Sequence, residues 1–388
     1  MPATAPDDLR TRPVVGVVGA GQLARMMVPA AVELDLELHL LAARADDAAA
    51  QVIVATTVGD ERGLADLRAI SAGVDVLTFD HEHVPTAHLQ TLQADGVVVR
   101  PGPHALPYAT DKSVMRRGLA AAGLPVPAFA VIESPHELAA AVDAVGGWPV
   151  VVKTARGGYD GRGVWVAAQP QDAAAAFAAR VPVVVEERVE FVRELAAVVA
   201  RSPSGQAVAY PVVESVQADG ICVEVLAPAP GLADATSTAA QRLALDVATT
   251  VDCVGILAVE LFERPDGTLV VNELAMRPHN TAHWTIEGAV TSQFSNHLRA
   301  VLDLPLGSPA ARAPVTVMAN VLGGERPDVH RALHHVLAHD PALHVHLYGK
   351  QVRPGRKIGH VTVTGSDVDD LRRRARHAAD YLGGVIDE

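Results

Sequence analysis

The stretch Val150-Val151-Val152-Lys153-Thr154-Ala155-Arg156-Gly157-Gly158-Tyr159-Asp160-Gly161-Arg162-Gly163 runs from an apolar strand into four glycines within seven residues. Glycine lacks a Cβ, so it visits positive φ and lets backbone amides close on an anion. Lys153 at the strand end and Arg162 in the loop add fixed positive charge. The composition predicts a loop that holds phosphate, with a plain glycine-rich hairpin as the alternative. A Walker-type loop is excluded, because no Lys-Ser or Lys-Thr closes the run and no long helix follows it.

Working outward, 388 residues predict two or three domains with substantial cores. The net charge of −13 argues against bulk nucleic-acid binding, so an anionic substrate must meet a local basic cluster. The two cysteines, Cys222 and Cys253, sit in apolar surroundings and point to buried thiols in a reducing compartment, although a single bridge between them stays open. Residues 1–13 mix charge and proline without an apolar centre and read as a disordered tail, not a signal peptide. No apolar stretch reaches the ~18 residues of a membrane span. The expectation is a cytoplasmic protein with no membrane and no nucleic-acid partner.

Three parts emerge. In residues 14–110 the strand Val14–Val18, the turn Gly19-Ala20-Gly21-Gln22 and a helix over Leu23–Leu34 open an alternation that continues with strands at Glu37–Leu41, Gln51–Val54, Val74–Phe79 and Gly96–Arg100. This predicts a parallel, Rossmann-like α/β domain. Residues 111–303 begin with a helix over Asp111–Ala122, hold the glycine loop and contain a hairpin from Gly255–Glu263 to Thr268–Leu274 around Arg264-Pro265-Asp266-Gly267. Residues 304–388 include a small β region with His344–Tyr348 and His360–Val363.

If Asp266-Gly267 is a two-residue turn, Glu260 falls directly opposite Glu273. Facing carboxylates repel and need a cation, and their hard oxygens suit Mg²⁺; a solvent-facing glutamate in another register is the alternative. On an extended strand Glu273, Ala275 and Arg277 share a face, placing a guanidinium beside the metal or in a structural ion pair. Arg353-Pro354-Gly355-Arg356-Lys357 gathers three cations at a turn, as a phosphate grip or a solvated basic loop. Gly19-x-Gly21-x-x-Ala24 matches a dinucleotide fingerprint, but the second strand ends at Leu41 and runs into Ala42-Ala43-Arg44 with no acid for a ribose. An NADP-linked oxidoreductase, with Arg44 on a 2′-phosphate, is therefore the rival reading. In Asp80-His81-Glu82-His83 at a strand end, Glu82 is a candidate substrate contact and the histidines are not expected to bind metal.

Together Lys153, Gly157–Gly163, Glu186-Glu187, Glu194, Glu260 and Asn272-Glu273 resemble the ATP-grasp ligases. With Gly19–Leu23, Asn272-Glu273-Leu274-Ala275, His279-Asn280, His283-Trp284 and Arg353–Lys357, the chain is similar to the N5-carboxyaminoimidazole ribonucleotide synthetases of purine biosynthesis over about Val14–His360. The resemblance implies an ATP-grasp middle domain, a small β-rich C-terminal domain and a homodimer. It implies ATP held by Lys112, Lys153, Gly158, Tyr159, Asp160, Gly161, Arg162, Gly163, Val164, Glu186, Glu187, Arg188, Val189, Glu194, Gln217, Asn272 and Glu273. Gln217 stands where the family commonly has histidine. Glu260 and Glu273 would carry Mg²⁺, with Mn²⁺ as an alternative ion. The family phosphorylates bicarbonate and passes its carbon to aminoimidazole ribonucleotide. Tyr159, Asp160 and Arg277 would serve the chemistry, and Gly21, Gln22, Glu82, Asn280, Arg353, Arg356 and Lys357 would bind the ribonucleotide. A formate-dependent ribonucleotide ligase of the same superfamily and a non-catalytic nucleotide-binding regulator are the remaining alternatives.

Overall fold

The computed structural model describes residues 12–158, 162–325 and 328–387. Of the tail expected over 1–13, residues 1–11 lie outside that range, while Arg12 pairs with Asp35 at 3.1 Å and the Pro13 carbonyl accepts from the Glu37 amide. The chain forms two compact units that divide between Arg100 and Pro101.

In the first unit β1 (Val14–Val18), β2 (Glu37–Ala42), β3 (Ala55–Val58) and β4 (Val76–Phe79) make an all-parallel sheet in the order β3-β2-β1-β4. Every residue of β1 is buried, as a continuous apolar run covered on both faces requires. The helices are α1 (Gln22–Glu33), α2 (Leu64–Ser71) and α3 (Thr86–Ala94). The strand expected at Gln51–Val54 is a turn instead, and the strand comes after it, at Ala55–Val58. Ala48, Ala49 and Ile53 bury their side chains from that turn, leaving Val54 fully exposed. Of the strand expected at Gly96–Arg100, a single parallel bridge from Val99 to Leu77 is present.

The second unit opens with the short helix α4 (Pro107–Thr110) and then α5 (Lys112–Ala121), whose N-cap Asp111 accepts from the amides of Ser113 and Val114. Strands β5 (Phe129–Ile132), β6 (Val150–Thr154), β7 (Val164–Ala167) and β8 (Val183–Glu187) form an antiparallel sheet in the order β5-β8-β6-β7, with α6 (Leu138–Ala144) packed against it. A larger antiparallel sheet contains β9 (Arg193–Arg201), β10 (Ala207–Ala209), β11 (Val213–Ala218), β12 (Ile221–Ala227), β13 (Gly255–Glu263) and β14 (Leu269–Ala275). Helix α7 (Asp234–Thr250), the short α8 (Thr285–Gly288) and α9 (Gln293–Val301) accompany it. Strands β15 (Val315–Leu322), β16 (His344–Leu347) and β17 (Lys357–Gly365) join it edge to edge through β12, under α10 (Val329–His339) and α11 (Val368–Gly383). The two sheets and α5 therefore meet within one unit, and the polar side chains cluster there. No helix among the described residues is long and apolar enough to cross a membrane.

Candidate active site

The cations of the site are held from below. Lys153 lies next to the end of β6: its Nζ lies 2.8 Å from Glu186 Oε2 and donates to Asn272 Oδ1 at 3.1 Å. Glu186, on β8, accepts at its other oxygen from Arg116 Nε at 2.8 Å. Arg116 is completely buried, and its remaining nitrogens donate to the carbonyls of Val271 and Asn272 at 3.1 and 2.9 Å. The result is a closed ring of contacts, Arg116–Glu186–Lys153–Asn272, that ties α5, both sheets and the β14 backbone together. Burial by itself would raise the Glu186 carboxyl, but Lys153 and Arg116 outweigh it and hold the group at about 2. Burial lowers the Lys153 ammonium below the ordinary lysine range, with Glu186 opposing.

The carboxylates are less well matched. Glu260 and Glu273 are cross-strand partners, as expected, but the turn that leads to them is not the two-residue turn the sequence suggested. Arg264 and Thr268 close a three-residue loop, with Gly267 at φ +80°, and Leu261 faces Val271. A bulge between Glu260 and Leu261 then takes up Asn272 as the extra residue and restores the Glu260–Glu273 pairing. The bulge also lets consecutive side chains serve one site, since Asn272 meets Lys153 and Glu273 meets Lys112 Nζ at 3.2 Å. Burial first, then Glu273 and Glu194, push the Glu260 carboxyl up to about 8. His279 approaches Glu260 to 3.7 Å but supplies no cation, because burial, Arg277 and Lys357 hold its imidazole well below its ordinary range. Burial also raises Glu194, against the pull of Lys153. Three carboxylates thus share too little positive charge. Hard oxygen donors in that condition fit Mg²⁺ or Mn²⁺. Among the described residues no three His, Cys, Asp or Glu side chains are grouped to hold a metal by themselves, so two carboxylates would need water and substrate oxygens to complete a shell.

The glycine loop is a hairpin connection between antiparallel β6 and β7, with Lys153 paired to Val164. Tyr159, Asp160 and Gly161 lie outside the described residues. On the flanks Gly157 and Gly163 have φ of +80° and +72°. A Cβ on Gly158 would come within 2.6 Å of the Arg162 carbonyl oxygen, so the two arms approach too closely for any side chain. Arg162 is exposed. At the end of β8 Glu187 accepts from Arg264 Nη2 at 2.6 Å, and beyond it Arg188 is exposed and Val189 is buried. Gln217 donates from Nε2 to Ser215 Oγ at 2.7 Å.

Arg277 lies beyond the strand on which the sequence placed it, because β14 ends at Ala275 and the chain bends. Its charge, with that of Lys357 from the start of β17, still reaches Glu260 and His279. Asn280 has a buried Nδ2 without a hydrogen-bond partner among the described residues. In the basic turn Gly355 has φ +72° and its amide donates to the Gly323 carbonyl, while Arg353 and Arg356 donate to Gln351 Oε1 and its carbonyl at 2.9 and 3.1 Å.

In the first unit, Gly21 is the N-cap of α1 and Gln22 opens it, one residue before the expected helix start. The amides of Gly21 and Ala24 are already occupied, however, by the carboxylate of Asp80 at 2.6 and 2.8 Å. A dinucleotide pyrophosphate at that helix start would have to displace a fixed anion. Arg44, the residue proposed for a 2′-phosphate, pairs with Asp46 and Asp47 at 3.1 and 3.4 Å. The NADP reading loses both supports. Glu82 is buried in the bend that follows β4, and His81 Nε2 meets Glu61 Oε2 at 3.0 Å.

Arg116 and Asp80 escaped the sequence reading. A signal for Arg116 existed: it shares the buried face of α5 with Met115 and Leu119, and a cation at such a position requires a buried partner.

The fold and this set of lysines, carboxylates and hairpin loop define an ATP-grasp ligase. The ATP-grasp domain model matches residues 117–294, the ribonucleotide synthetase preATP-grasp domain 13–110 and the phosphoribosylaminoimidazole carboxylase C-terminal domain 316–374. The chain is 57% identical over 380 residues to the N5-carboxyaminoimidazole ribonucleotide synthase of Mycobacterium bovis, spanning 95% of this chain and 88% of that one. Solved structures of the Aspergillus clavatus synthase are similar as well. The complex with ATP has a TM-score of 0.88 at 33% identity, covering 97% of this chain and 99% of that one. The complex with ADP and 5-aminoimidazole ribonucleotide has a TM-score of 0.87 at 32% identity, covering 96% and 98%. The chain belongs to the N5-carboxyaminoimidazole ribonucleotide synthase family, and is an ATP-dependent ligase of purine biosynthesis.

Proposed function

We propose that the ligase joins bicarbonate to 5-aminoimidazole ribonucleotide, by way of carboxyphosphate made from bicarbonate and the γ-phosphoryl group of ATP. The observation that carries the reading is the pairing of Glu260 with Glu273 beside Lys112 and Lys153, an arrangement for polyphosphate and a divalent ion in one place. Lys112, Lys153, Asn272 and the loop residues Gly158–Val164 hold the phosphates. Glu186–Val189, Glu194 and Gln217 hold the nucleoside; the Glu186 side chain is committed to Arg116 and Lys153, so its share is left to the backbone. Glu260 and Glu273 hold Mg²⁺ or Mn²⁺, which when bound neutralises charge gathering on the transferring phosphoryl oxygens.

Positive charge from Arg277 and Lys357 beside His279 orients the small anion, and Tyr159 and Asp160 serve the chemistry. Gly21, Gln22 and Glu82 contact the ribonucleotide, as do Asn280, Arg353, Arg356 and Lys357. The three parts 14–110, 111–303 and 304–388 are the working domains of a cytoplasmic homodimer. Purified protein is expected to release phosphate from ATP only when bicarbonate and the ribonucleotide are both supplied. Equal turnover with formate replacing bicarbonate would contradict the assignment.

A further inference from the structure

We infer that Arg116 is the positioning residue of this ligase: by neutralising Glu186 it leaves the Lys153 charge available to nucleotide phosphate, and through two carbonyls it braces the bulge carrying Asn272 and Glu273. The inference rests on the reading of Lys153 as a phosphate ligand.

Three charged groups, Arg116, Glu186 and Lys153, are buried in contact, with side-chain exposures of 0, 2 and 8%. Two cations and one carboxylate leave a net charge of +1. Without Arg116 the remaining pair is neutral, and an anion arriving at Lys153 would have to compete with Glu186 for its protons. Arg116 is suited to prevent this because a guanidinium presents several donors in fixed directions and does not deprotonate when buried. It uses Nε on Glu186 and its terminal nitrogens on Val271 O and Asn272 O.

Those two carbonyls lie at the bulge, where the ladder between β13 and β14 shifts register. β14 is the edge strand of its sheet and the Val271 amide turns outward to the Pro125 carbonyl, so carbonyls on this outer side have no cross-strand donor, and a buried unpaired carbonyl is costly. Arg116 supplies the missing donors where Asn272 and Glu273 must both face the site. One side chain on α5 therefore sets the charge on the phosphate side and the backbone geometry on the metal side. Lysine in its place would keep the charge but could not span Glu186 and both carbonyls.

The test measures affinity for an ATP analogue by calorimetry, with kcat and KM for ATP, in four variants whose folding is checked by thermal melting. Lys153→Met reports on the underlying reading and is expected to weaken binding about 10- to 100-fold, the worth of a charge-assisted hydrogen bond. Arg116→Met should weaken it to a similar extent. Arg116→Met with Glu186→Gln restores the net charge and should recover at least half of that loss on a logarithmic scale. Arg116→Lys should keep binding within about threefold while kcat falls about tenfold or more, since charge survives and the brace does not. If Lys153→Met binds normally, the phosphate reading is wrong. If Lys153→Met is weak yet the double variant binds no better than Arg116→Met, the Arg116 inference is overturned and the phosphate reading stands. The double variant carries no unpaired buried carboxylate, so it keeps the test decisive should Arg116→Met fail to fold.

Discussion

Two groups of charges meet at β14, through Asn272 and Glu273, and behave in opposite ways. The ring Arg116–Glu186–Lys153–Asn272 is satisfied without any ligand, every charge meeting a partner at 2.8 to 3.1 Å. The carboxylates Glu194, Glu260 and Glu273 are less evenly matched: Lys112 meets Glu273 at 3.2 Å, while burial and the neighbouring carboxylates outweigh Lys357 and Arg277 at Glu260 and push it up to about 8. The first group is folding architecture that has been given a ligand-facing lysine. The second is the group proposed to hold a divalent ion and polyphosphate, whose binding would offset its mutual repulsion.

Substitutions should break the two groups differently. The largest effect on activity is expected from the strained group. Glu260→Ala or Glu273→Ala should reduce kcat by about a thousandfold or more, since metal charge on the phosphoryl oxygens is lost, while the melting temperature of the metal-free protein stays equal or rises. Steady-state phosphate release and calorimetry check both halves. In the satisfied group the main cost is stability: Arg116→Met strands a buried carboxylate against one lysine and should destabilise the fold by about 3–5 kcal/mol, measured by denaturant titration.

The pH responses run in opposite directions. Glu186 has its folded value lowered from 4.5 to about 2, so its stabilisation is complete above 4.5 and is lost as pH falls through 2. Glu260 has its folded value raised from 4.5 to about 8, so the folded state binds the extra proton and the metal-free protein loses stability as pH rises from 4.5 through 8. Glu260→Gln should flatten that decline. Discounting for the 26% of the Glu260 side chain that stays exposed, the difference between variant and parent at pH 8 should be on the order of 1–3 kcal/mol and should vanish near pH 5. The smallest effect belongs to the first unit, where Asp80→Ala removes the acceptor at the start of α1 and should cost about 0.5–2 kcal/mol with no change in ATP-analogue affinity.

The satisfied and strained groups were not equally legible. Facing carboxylates on a hairpin are visible in a sequence because strands alternate and Asp-Gly marks a turn. Even so, the Glu260–Glu273 pair is reached through a three-residue loop and a compensating bulge, two departures that cancel and that local propensities do not encode. The parallel domain was legible because apolar runs such as Val14–Val18 must be covered on both sides. The turn before β3 was not, since Ile53 buries itself from a turn as well as it would from a strand. Gly19-x-Gly21 promised an anion from outside and met Asp80, which lies 59 residues beyond Gly21 in the chain. Arg116 remained hidden because its partners come from β8 and β14, brought together only by the fold.

The central claim is that Glu260 and Glu273 form the cation site beside a cradle that holds the nucleotide. Mn²⁺ binding followed by electron paramagnetic resonance in the presence of a non-hydrolysable ATP analogue tests it most directly, comparing the parent with Glu260→Gln, Glu273→Gln and Arg116→Lys. The account predicts that both Glu→Gln variants lose Mn²⁺ affinity about tenfold or more while retaining the nucleotide, and that Arg116→Lys, which keeps the charge but loses the brace beside Glu273, loses Mn²⁺ affinity to a smaller extent. Unchanged Mn²⁺ affinity in both Glu→Gln variants would contradict it.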